Sequence, residues 1–274
     1  MLERDVAIVV RAVRFSETSQ VVTLFTRRLG LVSVIAKGSL RRDKKGYGKF
    51  DGGLDLLDLG EAVLRHHPER ELSTLTDWRL MNGHLAIRHE LRTIYLGLHA
   101  AELVSAVFEE HDAHPMLFDR FAKLLSLLPT PQCEAVGLAF ALDVLRQSGI
   151  VPELGRCTVS GMPVTEDPVY FSATRGGLVL PENTAAIFDT TPVDFAGVTT
   201  MRRILAGLAT GQPQRLPRMH RTDTDPLHRV LAQHVQHAQG RRLRVPRFLL
   251  EESGIRSQES VEKNRHVTAT SSPS

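Results

Sequence analysis

The chain of 274 residues has only two cysteines, Cys133 and Cys157, one tryptophan, and aromatic residues at 5% of its length. So few cysteines exclude the dense disulfide framework of small secreted scaffolds, and both are expected to be free thiols. No run approaches the ~20 apolar residues of a membrane-crossing helix. The opening Met1-Leu2-Glu3-Arg4-Asp5 is charged and leads into a β-like run, not into the apolar core of a secretory signal. A soluble protein of the cytoplasm is therefore expected, with no membrane partner.

Motifs of known catalysts are equally scarce. There is no P-loop, no Gly-x-Ser-x-Gly and no His-Glu-x-x-His. Glu109, Glu110 and Asp112 sit side by side at a probable helix end and read as a solvated face. Gly176-Gly177 reads as a turn, and Cys157 lacks a recognisable base partner. The 12 histidines include His234 with His237 and His111 with His114, but neither pair has a third ligand at fixed spacing. His234 falls on an apolar helical stripe and is expected to be packed. The expectation is a protein with no catalytic residues, no metal and no cofactor.

What is present is an ordinary globular composition, 42% hydrophobic and 24% charged, long enough for about two domains. Residues 6–13, 20–25, 31–36, 53–59 and 62–70 read as short strands, with a hairpin turn at Gly30. Five such strands in under ~80 residues would leave exposed edges in an open sheet, so a small closed barrel is predicted. From about Trp78 the period becomes helical. Leu91, Ile94, Tyr95 and Leu98 mark the face of a first helix running to Phe108. Leu117, Phe118, Phe121, Leu124, Leu125 and Leu128 mark a second, stopped by Pro129 and Pro131. A third spans about residues 134–147, with Gly149 as its C-cap. The segment 155–185 is irregular. A helix follows from Thr199 or Thr200 to before Gly211. Another has Asp225 at the N-cap, Pro226 as its first residue, a face of Leu227, Val230, Leu231, His234 and Val235, and Gly240 at its end. The fold class is α+β: an OB-fold barrel at residues 1–79, a helical domain at 80–252, and a polar, disordered tail at 253–274.

The net charge is only +3, but it is unevenly spread. Residues 37–50 carry Lys37, Arg41, Arg42, Lys44, Lys45 and Lys49 against Asp43 alone, with Tyr47 and Phe50 among them and glycines at 38, 46 and 48. Cations interleaved with rings suit single-stranded nucleic acid, since charge follows phosphates while a ring stacks a base. A merely solvated loop is the alternative. A second basic region holds Arg202, Arg203, Arg215, Arg218, Arg221, Arg241, Arg242, Arg244 and Arg247, opposed only by Asp223 and Asp225. Arginine suits bidentate phosphate contacts, and a solvated basic face is the competing reading. The DNA-binding residues selected are Lys37, Arg41, Arg42, Lys44, Lys45, Tyr47, Lys49, Arg241, Arg242 and Arg244.

Several strings resemble the RecO family in order and register. They are Ala7-Ile8-Val9-Val10-Arg11, Phe15-Ser16-Glu17-Thr18-Ser19, Val22-Thr23-Leu24-Phe25-Thr26, Gly30-Leu31-Val32 and Ala36-Lys37-Gly38. The likeness continues loosely over most of the chain. In many relatives the segment matching 155–185 is a zinc ribbon with two Cys-x-x-Cys knuckles. Here Cys157 alone remains, with Ser160, Leu180 and Asn183 at the other positions, so a degenerate, metal-less ribbon is expected. Its outline would be kept by Val159, Val164, Phe171, Leu178 and Leu180. The resemblance implies a recombination mediator that binds single- and double-stranded DNA, anneals complementary strands, and helps load RecA on DNA coated with single-strand-binding protein. RecR, in many bacteria RecF, and single-strand-binding protein would be its partners. Arg88, Arg92 and Lys123 are selected by charge alone for a partner's acidic tail. A different nucleic-acid-binding barrel, such as an RNA-binding factor, and an enzyme with an unrecognised site remain as alternatives.

Overall fold

The computed structural model describes residues 2–41, 50, 54–65, 72–210, 216 and 218–252, with side chains to Leu249. Five strands open the chain: β1 Leu2–Arg14, β2 Gln20–Thr26, β3 Gly30–Ala36, β4 Leu59–Arg65 and β5 Ser73–Asn82. They close in the order β1-β2-β3-β5-β4, antiparallel except for β3 beside β5, which is the topology of an OB-fold. The 13-residue β1 serves both neighbours. Its first half pairs with β4, its second with β2, and a bulge between Val9 and Arg11 lets it bend around the barrel.

The barrel is buried on two sides. Ala7, Val9, Val22, Leu24, Val32, Val34, Leu64, Leu75 and Trp78 fill its interior. The alternate residues Ile8, Val10, Phe25 and Leu31 point outward into the core of the helices. This is why β1 reads as an unbroken apolar run and not as an alternation.

The number of strands agrees with expectation, but the last two lie elsewhere. The expected strand at 53–59 is, over the described residues 54–58, a turn held by Asp55 N–H donating to the Asp58 carboxylate at 2.8 Å. The expected strand at 62–70 is β4, which starts earlier; residues 66–70 lie outside the described residues. The true fifth strand runs through residues 73–77, for which no element is expected, and on into the stretch from Trp78, where a helical period is expected. Between Val63 and Leu64 its pairing slips by one, so Thr76 is bulged out and Leu75 and Trp78, three apart, both face inward. That spacing imitates a helix in the sequence.

The helices are α1 Leu91–Val107, α2 Pro115–Leu127, α3 Cys133–Gln147, α4 Phe195–Thr210, α5 Arg221–Gln239 and α6 Val245–Glu252. In α1 the expected face is out of phase. Leu91 is exposed, and the fully buried line runs through Thr93, Leu96, Gly97, Ala100, Leu103 and Val104. Small residues carry little apolar signal, and at Gly97 an added Cβ would meet the Leu57 side chain at 2.8 Å, with Leu128 and Leu125 close behind. Helix α2 buries the whole expected face, and Gly149 (φ 75°) ends α3. Helix α4 starts four or five residues earlier than expected. Helix α5 starts at Arg221, where Asp223 and His220 form a reciprocal cap, so Asp225 is not the N-cap and Pro226 lies inside the helix. Its buried face and its Gly240 terminus (φ 62°) are as expected.

Between α3 and α4 lies a three-stranded antiparallel sheet, β6 Val169–Ser172, β7 Gly177–Val179 and β8 Thr190–Val193, ordered β7-β6-β8. Val164, Phe171 and Leu178 are buried in it and Leu180 is half-buried, whereas Val159 is exposed and contributes no core.

Barrel and helices share one apolar core. Phe25 of β2 lies 5.8 Å from the Phe118 ring and 6.4 Å from Phe121, which in turn lies 5.0 Å from Phe140. At the β2–β3 hairpin, Gly30 (φ 72°) has Asp112 backbone so near that an added Cβ would lie 2.2 Å from its carbonyl oxygen. Arg27 closes the same junction with a bidentate pair to Asp119 at 2.8 and 2.9 Å.

Candidate nucleic-acid interface

At the barrel end away from that junction, two turns meet. One joins β1 to β2 through residues 15–19; the other leaves β3 through residues 37–41. Phe15 and Ser16 N–H groups both donate to the Ser19 carbonyl, at 2.9 and 3.1 Å. Leu40 N–H donates to the Thr18 carbonyl at 3.1 Å, and Gly38 N–H to the Ser19 hydroxyl at 3.3 Å, which ties one turn to the other. Gly38 takes φ 75°, a conformation that L side chains resist, and so turns the chain back after Ala36. Between the turns is an open cleft of about 550 Å³, lined by Phe15, Ser16, Thr18, Ser19, Ile35, Lys37, Gly38 and Arg41. Its size falls in the ~300–1,000 Å³ range of ligand sites. Lys37 and Arg41 are exposed on its wall, and the Phe15 side is 65% exposed. Of the residues selected from sequence, these two cations are brought together. Arg42, Lys44, Lys45, Tyr47 and Lys49 lie outside the described residues. Phe50, named among the aromatics of that segment, is 3% exposed and belongs to the barrel interior. Phe15 was not selected, although an aromatic just before a polar turn is a sequence signal for it.

The second basic region divides. Arg241, Arg242 and Arg244 are exposed at the start of the α6 segment. Arg241 donates to the Ser105 carbonyl at 3.3 Å, and Glu102 accepts the backbone N–H groups of Arg244 and Val245, at 2.7 and 2.9 Å. Their guanidinium groups have no carboxylate partner among the described residues. Arg202 differs: it turns inward, donating to the carbonyls of Leu154 and Val164, and belongs to the scaffold. The two acids expected to oppose the arginines do other work. Asp223 accepts the His220 N–H at the α5 cap, and Asp225 is fully buried.

Asp225 explains a further correction. Arg92, selected for an acidic tail, is turned inward to meet it, its side chain 12% exposed. Its Nε and Nη2 both donate to Glu134 at 2.7 Å, and Nη2 donates to Asp225 at 2.7 Å. Thr224 adds a 2.6 Å hydroxyl bond to Glu134. Arg88 is held by Asp55 and Asp58, at 3.2 and 3.6 Å. Lys123 is exposed on α2. Near the Arg92 cluster, His99 and His228 meet edge-to-face at 5.4 Å, fully buried, with no hydrogen-bond partner for any ring nitrogen among the described residues. Burial and the Arg92 charge push His228 down to about 3; burial, His228 and Arg92 push His99 well below the ordinary histidine value.

In the ribbon-like sheet, the four positions expected from the degenerate knuckles do converge. Cys157 Sγ accepts the Leu180 N–H at 3.5 Å and the Asn183 amide at 3.6 Å, and Asn183 also donates to the Ser160 hydroxyl at 3.5 Å. Burial pushes the Cys157 thiol up, but hydrogen bonds from Ser160, Leu180 and Val159 outweigh it and leave it below its ordinary value. One sulfur, one hydroxyl, one amide and a leucine do not make a tetrahedral zinc site. His234, as expected, is packed: its Nε2 is 2.8 Å from the Ile150 carbonyl and its ring stands on Phe171.

Two family models cover nearly the whole chain: Recombination protein O N terminal matches residues 1–84, and Recombination protein O C terminal matches 88–247. The chain belongs to the RecO family. Its relatives are named DNA repair protein RecO. That of Anaeromyxobacter dehalogenans is 32% identical over 246 residues, covering 88% of this chain and 93% of the relative. That of Rhodopirellula baltica is 36% identical over 176 residues, covering 63% and 64%. In this RecO-family chain the first match spans the barrel, and the second spans helices and ribbon. Among the described residues no helix is long and apolar enough to cross a membrane.

Proposed function

We propose that this chain is a non-catalytic recombination mediator of DNA repair, working in the cytoplasm. It binds single- and double-stranded DNA, anneals complementary strands and helps RecA load on DNA covered by single-strand-binding protein. RecR, single-strand-binding protein, RecA and RecF are the partners this reading implies. The observation that carries it is the pair Lys37 and Arg41 on the wall of a cleft at the loop end of a closed OB-fold barrel. Barrels of this kind commonly hold oligonucleotides between such loops. No bond need be made or broken. Cations on the strand reduce the repulsion between two phosphate backbones, and the exposed Arg241, Arg242 and Arg244 offer a second cationic surface for the other strand.

Titration of fluorescent single-stranded DNA at several salt concentrations tests the reading. Engagement of about four to six phosphates gives a log–log slope of roughly −3 to −4, at about 0.7 per contact. Replacing Arg41, Arg42, Lys44 and Lys45 together should weaken binding and slow annealing while the circular dichroism is unchanged. A slope near zero, or RNA outcompeting DNA of the same sequence, overturns it.

A further inference from the structure

Phe15 is a large apolar ring left two-thirds in solvent, yet its backbone is held by hydrogen bonds on both sides of the turn. Its own N–H is bonded to Ser19, and the Arg14 guanidinium reaches forward to the Ser16 carbonyl at 3.3 Å and the Glu17 carbonyl at 3.5 Å. The turn is then anchored to the segment after β3 through Thr18 and Ser19. A ring on a rigid support loses little freedom when something stacks on it. Its surroundings narrow what that is. The cleft holds Lys37 and Arg41 as cations, Ser16, Thr18 and Ser19 as hydroxyl-bearing residues, and Ile35 as further apolar surface. Neither a lone apolar patch nor a bare cationic surface describes it. An aromatic face with cations on one side and short hydroxyls beside it matches a flat aromatic ligand that carries a phosphate.

We infer that Phe15 is a stacking platform for one unpaired nucleobase, with Lys37 and Arg41 taking the phosphates that flank it. The inference rests on the DNA-binding reading above and adds selectivity to it. In a duplex each base face is covered by its neighbours, so a paired strand offers phosphate to the cations but nothing to the ring. A single strand offers both. Phe15 thus discriminates unpaired from paired DNA at a site whose charges do not.

Phe15→Ala, Phe15→Trp and the double variant Lys37→Glu/Arg41→Glu are compared on three probes: a thymidine oligomer, the same backbone with abasic sites, and a hairpin duplex of equal length. Because the ring is exposed, Phe15→Ala should leave thermal stability unchanged. Its affinity for the thymidine oligomer should fall about 5- to 100-fold, in line with the loss of one stacked base. Its affinity for the abasic and duplex probes should stay within about twofold, with the salt slope unaltered. Phe15→Trp should restore affinity. Trp78, the single natural tryptophan, is fully buried in the barrel, so the new indole emission should be quenched by the thymidine oligomer and not by the duplex. Wild-type affinity of Phe15→Ala for the thymidine oligomer, equal losses on oligomer and duplex, or no quenching in Phe15→Trp overturns the stacking role. If Phe15→Ala is silent while Lys37→Glu/Arg41→Glu loses binding on every probe, the platform fails and the DNA-binding reading stands. If both are silent, both fail.

Discussion

At the scale of single residues, the interior carries more charge than a helical bundle needs. Arg92 is tied to Glu134 and Asp225 inside the bundle, with side chains 12%, 9% and 0% exposed. Removing one partner leaves the others buried and uncompensated, which costs about 3–5 kcal/mol. Arg92→Ala should therefore lower stability in urea by that amount, whereas Arg88→Ala, whose guanidinium is 41% exposed and pairs with the exposed Asp55 as well as the buried Asp58, should cost less, about 1 kcal/mol. The buried histidines set a pH dependence. In His84, His99, His228 and His234 burial lowers the folded-state value, to about 3 for His228. The unfolded chain takes up these protons near pH 6.5, and the fold refuses them. Their contribution is thus complete above about pH 6.5 and is lost as pH falls, each group contributing at most about 1.4 kcal/mol per unit and only until its folded-state value is reached. Asp58, raised by burial to about 6, acts in the opposite sense, strongest at low pH and lost as pH rises through 6. Urea midpoints measured from pH 8 to 4.5 should be flat to about 6.5 and then decline. His99→Leu/His228→Leu should flatten the decline and, since no ring nitrogen there has a partner among the described residues, should not destabilise the protein at pH 7.5.

At the scale of elements, Gly30 tests the junction. Alanine there meets both a positive φ and the Asp112 carbonyl oxygen, so Gly30→Ala should lose about 2 kcal/mol or more in a thermal or urea melt. In the ribbon, the Cys157–Asn183–Ser160 bonds stand where a metal would staple the sheet. Asn183→Leu should cost about 1–2 kcal/mol, and elemental analysis should find no zinc. One zinc per chain would overturn that account. The elements also show what could be read beforehand. Helix α2, with Leu117, Phe118, Phe121, Leu124 and Leu125 at regular spacing, was fully legible. So was the buried face of α5. Strand β5 was not, because its bulge puts Leu75 and Trp78 on one side at helix-like spacing. Nor was α1, because Gly97 and Ala100 line its most buried side. Asp225 before Pro226 has the form of a cap, but the partner that decides its role, Arg92, lies 133 positions away. The cations of the cleft were legible as composition. Phe15 was not singled out, because its meaning comes from Lys37 and Arg41, which lie beyond β2 and β3 in the chain and meet it only at the end of the closed barrel.

At the scale of the whole molecule, the aromatic chain from Phe25 through Phe118 and Phe121 to Phe140 joins what the sequence reading divided near residue 79. A barrel without its helices would expose Ile8, Val10, Phe25 and Leu31. Unfolding followed by Trp78 emission, which reports the barrel, should coincide with unfolding followed by far-ultraviolet circular dichroism, which reports the helices. Two separated transitions would mean independent domains. The two exposed basic surfaces, at Lys37 and Arg41 and at Arg241 to Arg244, consequently sit on units that share one apolar core. Phe25 packs on Phe118 and Phe121 of α2, and Phe121 packs on Phe140 of α3, so the two surfaces are joined through packed rings. On the proposed annealing role, the bending falls to the polynucleotide, and the spacing of the charges serves as the jig around which it is shaped.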